Sequence, residues 1–421
     1  MYRRAGFGLA PGQLDDLEAL GVDTVVDRMV DPSAHGVPAG PDDLWADLDF
    51  PFQDTGEAAV MAVDRWMDHL IAAPRTFEEW MAWYWHGHLV SSVSVVAFLP
   101  MMTTQMNLFR REGLGSFRRL LRDVTVDPAM LRYLDGGKST GQSPNENYAR
   151  ELLELFSLGI GAYTEADVAA GALALTGWVV SLTGEGTPDA PFGGTARFDP
   201  ARHDDTAQHY LGHRGVHDVD TVIDAIVAQE ACADFVAGRF GRAVLGDDAD
   251  PQLLAGLARQ FRDTDLDLRV LARGVLEAVA EGRVSGLVLG PLPWLLSAQR
   301  ATGATLDGHE RYWTLYDADH LPMWPPNVGG WPGGRTWLAS STTAQRYNLA
   351  VAVAAAAPED NGARRAALTG DLDALADALG RPEGFSESTR GALSDLAPDA
   401  PRDDGTALLA VALAAPDLII A

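Results

Sequence analysis

Apolar residues along this chain recur mostly at three- and four-residue intervals, the spacing that lays one stripe along an α-helix. Pro11 is placed to open a short helix that Gly21 closes, and a second helix runs to about Val30, giving a small helical hairpin. Residues 31–56, rich in Pro, Asp and Gly, read as a loop. Thr76 and Glu79 then form a capping-box pattern ahead of an aromatic helix carrying Trp80, Trp83, Tyr84 and Trp85. The same pattern recurs at Ser143/Glu146, Thr164/Asp167 and Thr264/Asp267. Strand signals are few, the best being Trp178 to Leu182. The pattern predicts a mainly α, multi-helix globular protein with long Gly/Pro-rich loops and few or no strands. Residues 183–205 look like a long loop and a sub-boundary, and residues 357–365 like a polar linker. The expected division is a helical core over 1–356 with a C-terminal helical segment, 357–421, packed on it. No internal repeat is visible.

Composition narrows the partners. Nearly half of the 421 residues are hydrophobic, enough for a large core. The formal net charge of -27 disfavours nucleic acid and anionic membrane surfaces, both of which are held by clustered Lys and Arg. Arg110, Arg111, Arg118, Arg119 and Arg122 form one local exception, readable as a solvated helix face paired with nearby acids or as an anion-binding patch. Cys232 is the only cysteine, so neither an internal disulfide nor a thiolate cluster can form, and its setting is that of a small buried hydrophobe. No stretch reaches the roughly 18 apolar residues of a membrane span; the nearest, Ala407 to Ala421, is broken by Pro416 and Asp417. The N-terminus carries no signal-peptide pattern, so the expectation is a cytoplasmic protein, or an exported one if a leader has been removed.

Four stretches could carry chemistry. In Ser143 to Gly159, Ser143 reads as the N-cap, Pro144 as N1 and Glu146 as N3, with Gly159 ending the helix. Asn147, Glu151 and Glu154 then share one face, with Arg150 beside them. Capping requires neither Glu151 nor Glu154, and two carboxylates one turn apart can hold a cation or act as acid and base. Trp85-His86-Gly87-His88 is the second stretch. In a continuous helix its imidazoles diverge by about 200°, so a shared metal requires Gly87 to stop the helix; otherwise each is a hydrogen-bonded, partly buried ring. Third, His203-Asp204 offers a metal ligand with its neighbour, an oriented base, or a turn with Asp204 as a cap. His209, His213 and His217 read as surface residues because Gly212 and Gly215 interrupt them. Fourth, the Pro/Gly-dense run from Pro325 to Trp337 specifies a rigid, irregular loop whose Trp331 and Trp337 either line a cleft or pin the loop to the core. Its glycines follow no nucleotide-binding pattern.

Together, and in this order, these stretches resemble the bacterial family catalogued as domain of unknown function 1800. The resemblance rests on Arg3 to Gly8, Trp85 to His88, Asn145 to Leu152, Tyr163 to Val168, Ala172 to Trp178, His203-Asp204, Leu211-Gly212 and Pro326 to Gly334, and spans nearly the whole chain. It implies membership but no established activity. Members often look exported. They usually carry a Lys ahead of Leu-Gly, where this chain has Gln208-His209-Tyr210, and often a His where it has Phe156.

The leading expectation is a metal-assisted enzyme, with hydrolysis favoured. Glu151, Glu154, Arg150 and Asn147 would be its catalytic and orienting residues, and His86, His88, His203 and Asp204 the ligands of Zn, Mn or Fe. Trp331, Trp337 and Asn327 would wall a cleft for a polar substrate such as a sugar or a peptide. The alternatives are a noncatalytic scaffold or binding protein whose motifs are structural, and a metal-dependent oxidoreductase, which lacks the paired ExxH helices of such bundles.

Overall fold

Among the residues described by the computed structural model, namely 1–48, 55–181 and 194–421, 22 α-helices alternate with short loops and four short strands. The mainly α expectation holds. The strands make two antiparallel hairpins: β1 (Trp178–Ser181) pairs with β2 (Thr195–Phe198), and β3 (Gln208–Tyr210) with β4 (His213–Val216). Residues 195–202, read from sequence as loop, therefore contain β2 and a 3-10 turn, Pro200–Arg202. The rest of that loop, 183–193, and Leu182 lie outside the described residues.

The expected helix punctuation is realised in part: one capping box forms, two helix starts are capped by a neighbouring residue, and one has no side-chain cap. Helix Thr164 does cap Glu165–Ala174, in a true capping box with Asp167. Helix Glu146–Glu151, however, is capped by Asn145, whose Oδ1 accepts from Tyr148 N at 3.1 Å while its amide holds Leu134 O at 2.7 Å. Ser143 instead exchanges backbone hydrogen bonds with Thr140, leaving Pro144 outside the helix. Asp267, not Thr264, caps Leu268–Ala280; the Thr264 hydroxyl donates back to Gln260 O at the end of the preceding helix. Thr76–His88 begins after Arg75 with no side-chain cap, because Glu79 turns inward. Its carboxylate accepts from Arg110 at 3.0 Å and contacts His69 Nε2 at 2.7 Å, a buried ion pair that a cap could not also satisfy.

Smaller boundaries also moved. The first helix, Gln13–Leu20, follows Gly12 rather than Pro11. Thr55–Ala72 starts just inside the expected 31–56 loop, whose residues 49–54 are not described. The 357–365 linker is only a short turn, because Asn361 caps a helix at Gly362–Thr369. One cluster of buried side chains runs from Ala5 to Ile419, with Trp66, Trp85 and Trp294 among its largest members. No helix among the described residues is long and apolar enough to cross a membrane.

Candidate functional site

Helix Thr76–His88 runs unbroken through Gly87, so His86 and His88 diverge and meet different segments. His86 Nε2 accepts from Met323 N–H at 3.1 Å, which places its proton on Nδ1. His88 Nε2 donates to Phe156 O at 3.0 Å, which leaves Nδ1 as a bare lone pair. Both Nδ1 atoms are buried without a partner among the described residues, and burial pushes both imidazoles down to about 3, so both are neutral at ordinary pH.

The acidic helix reaches the same region by its backbone. After Glu151 the chain widens into a π-helical turn, Leu152–Ser157, which breaks the 3.6-residue register that the sequence suggests. Near its end, Leu155 O accepts from Arg239 at 3.2 Å and Phe156 O from His88. The side chains of the helix face elsewhere. Arg150 forms a bidentate pair with exposed Glu165 at 2.7 Å, and Glu154 accepts from Tyr163 OH at 2.5 Å. Asn147 is exposed; Glu151 is half-buried, and burial followed by the Glu154 charge raises its pKa.

The remaining predicted residues are similarly occupied. His203 Nδ1 donates to Thr176 O at 3.0 Å and its ring packs on Phe198. Asp204 closes a turn by accepting from Thr206 N at 2.9 Å. Asn327 does the same for Gly329 N at 2.8 Å and lies at the surface. Among the described residues, no three His, Cys, Asp or Glu side chains are grouped to hold a metal ion. The arginine cluster is paired throughout: Arg111 and Arg119 with Glu112, Arg118 with Asp224 and Arg122 with Asp220, while Arg110 is drawn inward to Glu79.

What the fold does bring together is an aromatic cavity of about 390 Å³ between helix Thr76–His88, helix Glu230–Leu245 and the 325–337 loop. Trp331 stacks on Trp83 with ring centroids 4.4 Å apart, and Trp337 lies 4.4 Å from His320. The two tryptophans therefore both pin the loop and wall the cavity. Gly330 makes that approach feasible: its φ is +86°, and a Cβ there would lie 2.3 Å from Gly87 O. Buried Arg346 braces the wall from behind, donating to Trp337 O at 2.9 Å and to Leu289 O. His320 Nδ1 accepts from Leu292 N–H at 3.1 Å, so its proton sits on Nε2; burial, then Arg346, pushes its pKa down to about 3.

Three arginines reach the same cavity. Arg4 is held by the carbonyls of Val244 and Ser285 and by an oxygen of the last residue, Ala421; Arg239 is held by Leu155 O and, among the described residues, the exposed Arg242 only by Gly238 O of its own helix. Among the described residues, no Asp or Glu side-chain oxygen lies within 4.0 Å of any of the three guanidiniums. Asp247 is the one acid on the lining. Of the residues singled out from sequence, His88, Trp331 and Trp337 line this cavity; His86, Glu151, Glu154, His203 and Asn327 do not. Arg4 had a sequence signal in the Arg3 to Gly8 motif. Tyr84, Arg239, Arg242 and His320 had none beyond ordinary helix and loop composition.

No curated protein and no solved structure matches the chain significantly. A family model described as "protein of unknown function (DUF1800)" matches residues 1–420. With that match covering essentially its whole length, the chain belongs to the DUF1800 family.

Proposed function

We propose that this protein binds a small anionic ligand in the cavity between Trp83, Trp331 and the arginines. One observation carries the reading: Arg4, Arg239 and Arg242 line one aromatic hollow, and among the described residues none of them is paired with an Asp or Glu side chain, in a chain whose formal net charge is -27. Guanidiniums gathered in a partly desolvated site repel one another, and a bound anion relieves that cost through charge-assisted hydrogen bonds. The aromatic walls suit a ligand with a flat or ring-shaped apolar face. The acidic motif helix fits this reading as support, because its π-turn carbonyls orient His88 and Arg239 at the wall.

A metal-assisted site built on Glu151, Glu154, His203 and the two buried histidines has less support, since each of these imidazoles is engaged by a different backbone segment. Calorimetric titration with small carboxylates and phosphates tests the binding reading. Arg242→Ala removes a guanidinium whose only hydrogen bond among the described residues is to its own helix, so the fold should survive. Loss of a charged hydrogen bond of about 1.5–3 kcal/mol should weaken binding roughly 10- to 100-fold. If millimolar anions neither bind nor raise the melting temperature of the wild-type protein, the reading is wrong.

A further inference from the structure

Resting on the anion reading, we infer that the ligand is an acidic monosaccharide: a hydroxyl-bearing ring with one carboxylate or phosphate. Beyond its cations, the cavity lining carries polar groups that the fold leaves without partners. Tyr84 OH, His88 Nδ1 and Trp331 Nε1 are each buried and make no hydrogen bond among the described residues. A buried polar group left unpaired is costly, and three around one cavity call for a ligand that pairs with them.

Their chemistry is mixed, which a simple anion cannot match. His88 is 2% exposed, and its bond to Phe156 O makes Nδ1 a pure acceptor. Trp331 Nε1–H is a pure donor, and so is His320 Nε2–H, because Leu292 N–H occupies the other ring nitrogen. Tyr84 OH, one helical turn before His88 and stacked on it at 5.8 Å, can do either. Acceptor, donors and a hydroxyl on residues that line one cavity suit the hydroxyls of a sugar, each of which both donates and accepts. Trp331 is only half-buried, so part of its indole stays open to the weakly positive C–H face of a sugar ring. The acid group then meets Arg242 and Arg239. Modest side-chain adjustment, ordinary on ligand binding, completes these contacts.

The test is calorimetric titration of the full chain with glucuronate, galacturonate, glucose 6-phosphate, glucose, benzoate and inorganic phosphate. At least one acidic sugar should bind about tenfold or more tightly than glucose, benzoate or phosphate, and whether the uronates or the sugar phosphate bind best identifies the acid group. Tyr84→Phe removes a hydroxyl with no hydrogen bond among the described residues, so its melting temperature should stay level or rise. Acidic-sugar affinity should nevertheless fall about three- to tenfold, the worth of one hydrogen bond, with benzoate and phosphate unaffected. Trp331→Phe keeps the stack, loses the N–H and should behave likewise. If benzoate or phosphate binds as tightly as every acidic sugar, or both variants keep full acidic-sugar affinity, the sugar inference fails while anion binding stands. If no anion binds, both fail.

Discussion

Acidification from pH 6.5 to 5 should destabilise this protein well before its surface carboxylates titrate. His86, His88 and His320 are each at most 5% exposed and pushed down to about 3, against 6.5 in an unfolded chain. Between those values the unfolded state binds protons that the folded state refuses, so stability is complete above 6.5 and is lost as pH falls. Over pH 6.5 to 5 the three rings together remove about 5 kcal/mol. Asp127, buried as the cap of Pro128–Tyr133, acts oppositely: burial pushes it up to about 7, so it takes up its proton in the folded state first. That returns about 2 kcal/mol, leaving these four groups a net loss of about 3 kcal/mol, a large share of an ordinary domain's stability. Urea unfolding followed by far-UV circular dichroism at half-unit pH steps measures the slope. His320→Gln should flatten it by one proton. An unfolding free energy constant within about 1 kcal/mol from pH 6.5 to 5 would refute the reasoning.

Three further outcomes follow from the packing. Glu79→Gln strips the carboxylate that buried Glu79 offers to Arg110 and should cost about 3–5 kcal/mol, whereas Glu151→Gln, on a half-buried side chain with no hydrogen bond among the described residues, should stay within about 0.5 kcal/mol; melting curves showing the reverse order would sink the assignment. Asn145→Ala should cost about 1 kcal/mol of denaturation free energy and Ser143→Ala much less, because only the former caps the helix. Gly330→Ala forces a side chain into left-handed backbone and against Gly87 O, so it should cost about 2 kcal/mol or more and release the loop to limited proteolysis.

The chain by itself determined the helical class, because i, i+3, i+4 apolar spacing is a local signal that needs no partner. It also determined the Thr164 capping box, whose two members are three residues apart and satisfy each other. Where neighbours competed, tertiary context chose: Asn145 over Ser143, because its amide also holds Leu134 O, and an ion pair over a cap at Glu79. The acidic motif drew notice for Glu151 and Glu154, yet it reaches the cavity through Leu155 O and Phe156 O, and no side-chain pattern records which carbonyls a π-turn frees. The cavity belongs wholly to the tertiary structure. Its wall joins Arg4, Tyr84, Arg239, His320 and Trp331, residues drawn from the start, the middle and the later part of the chain that become neighbours only when the loop after Pro325 stacks against Trp83.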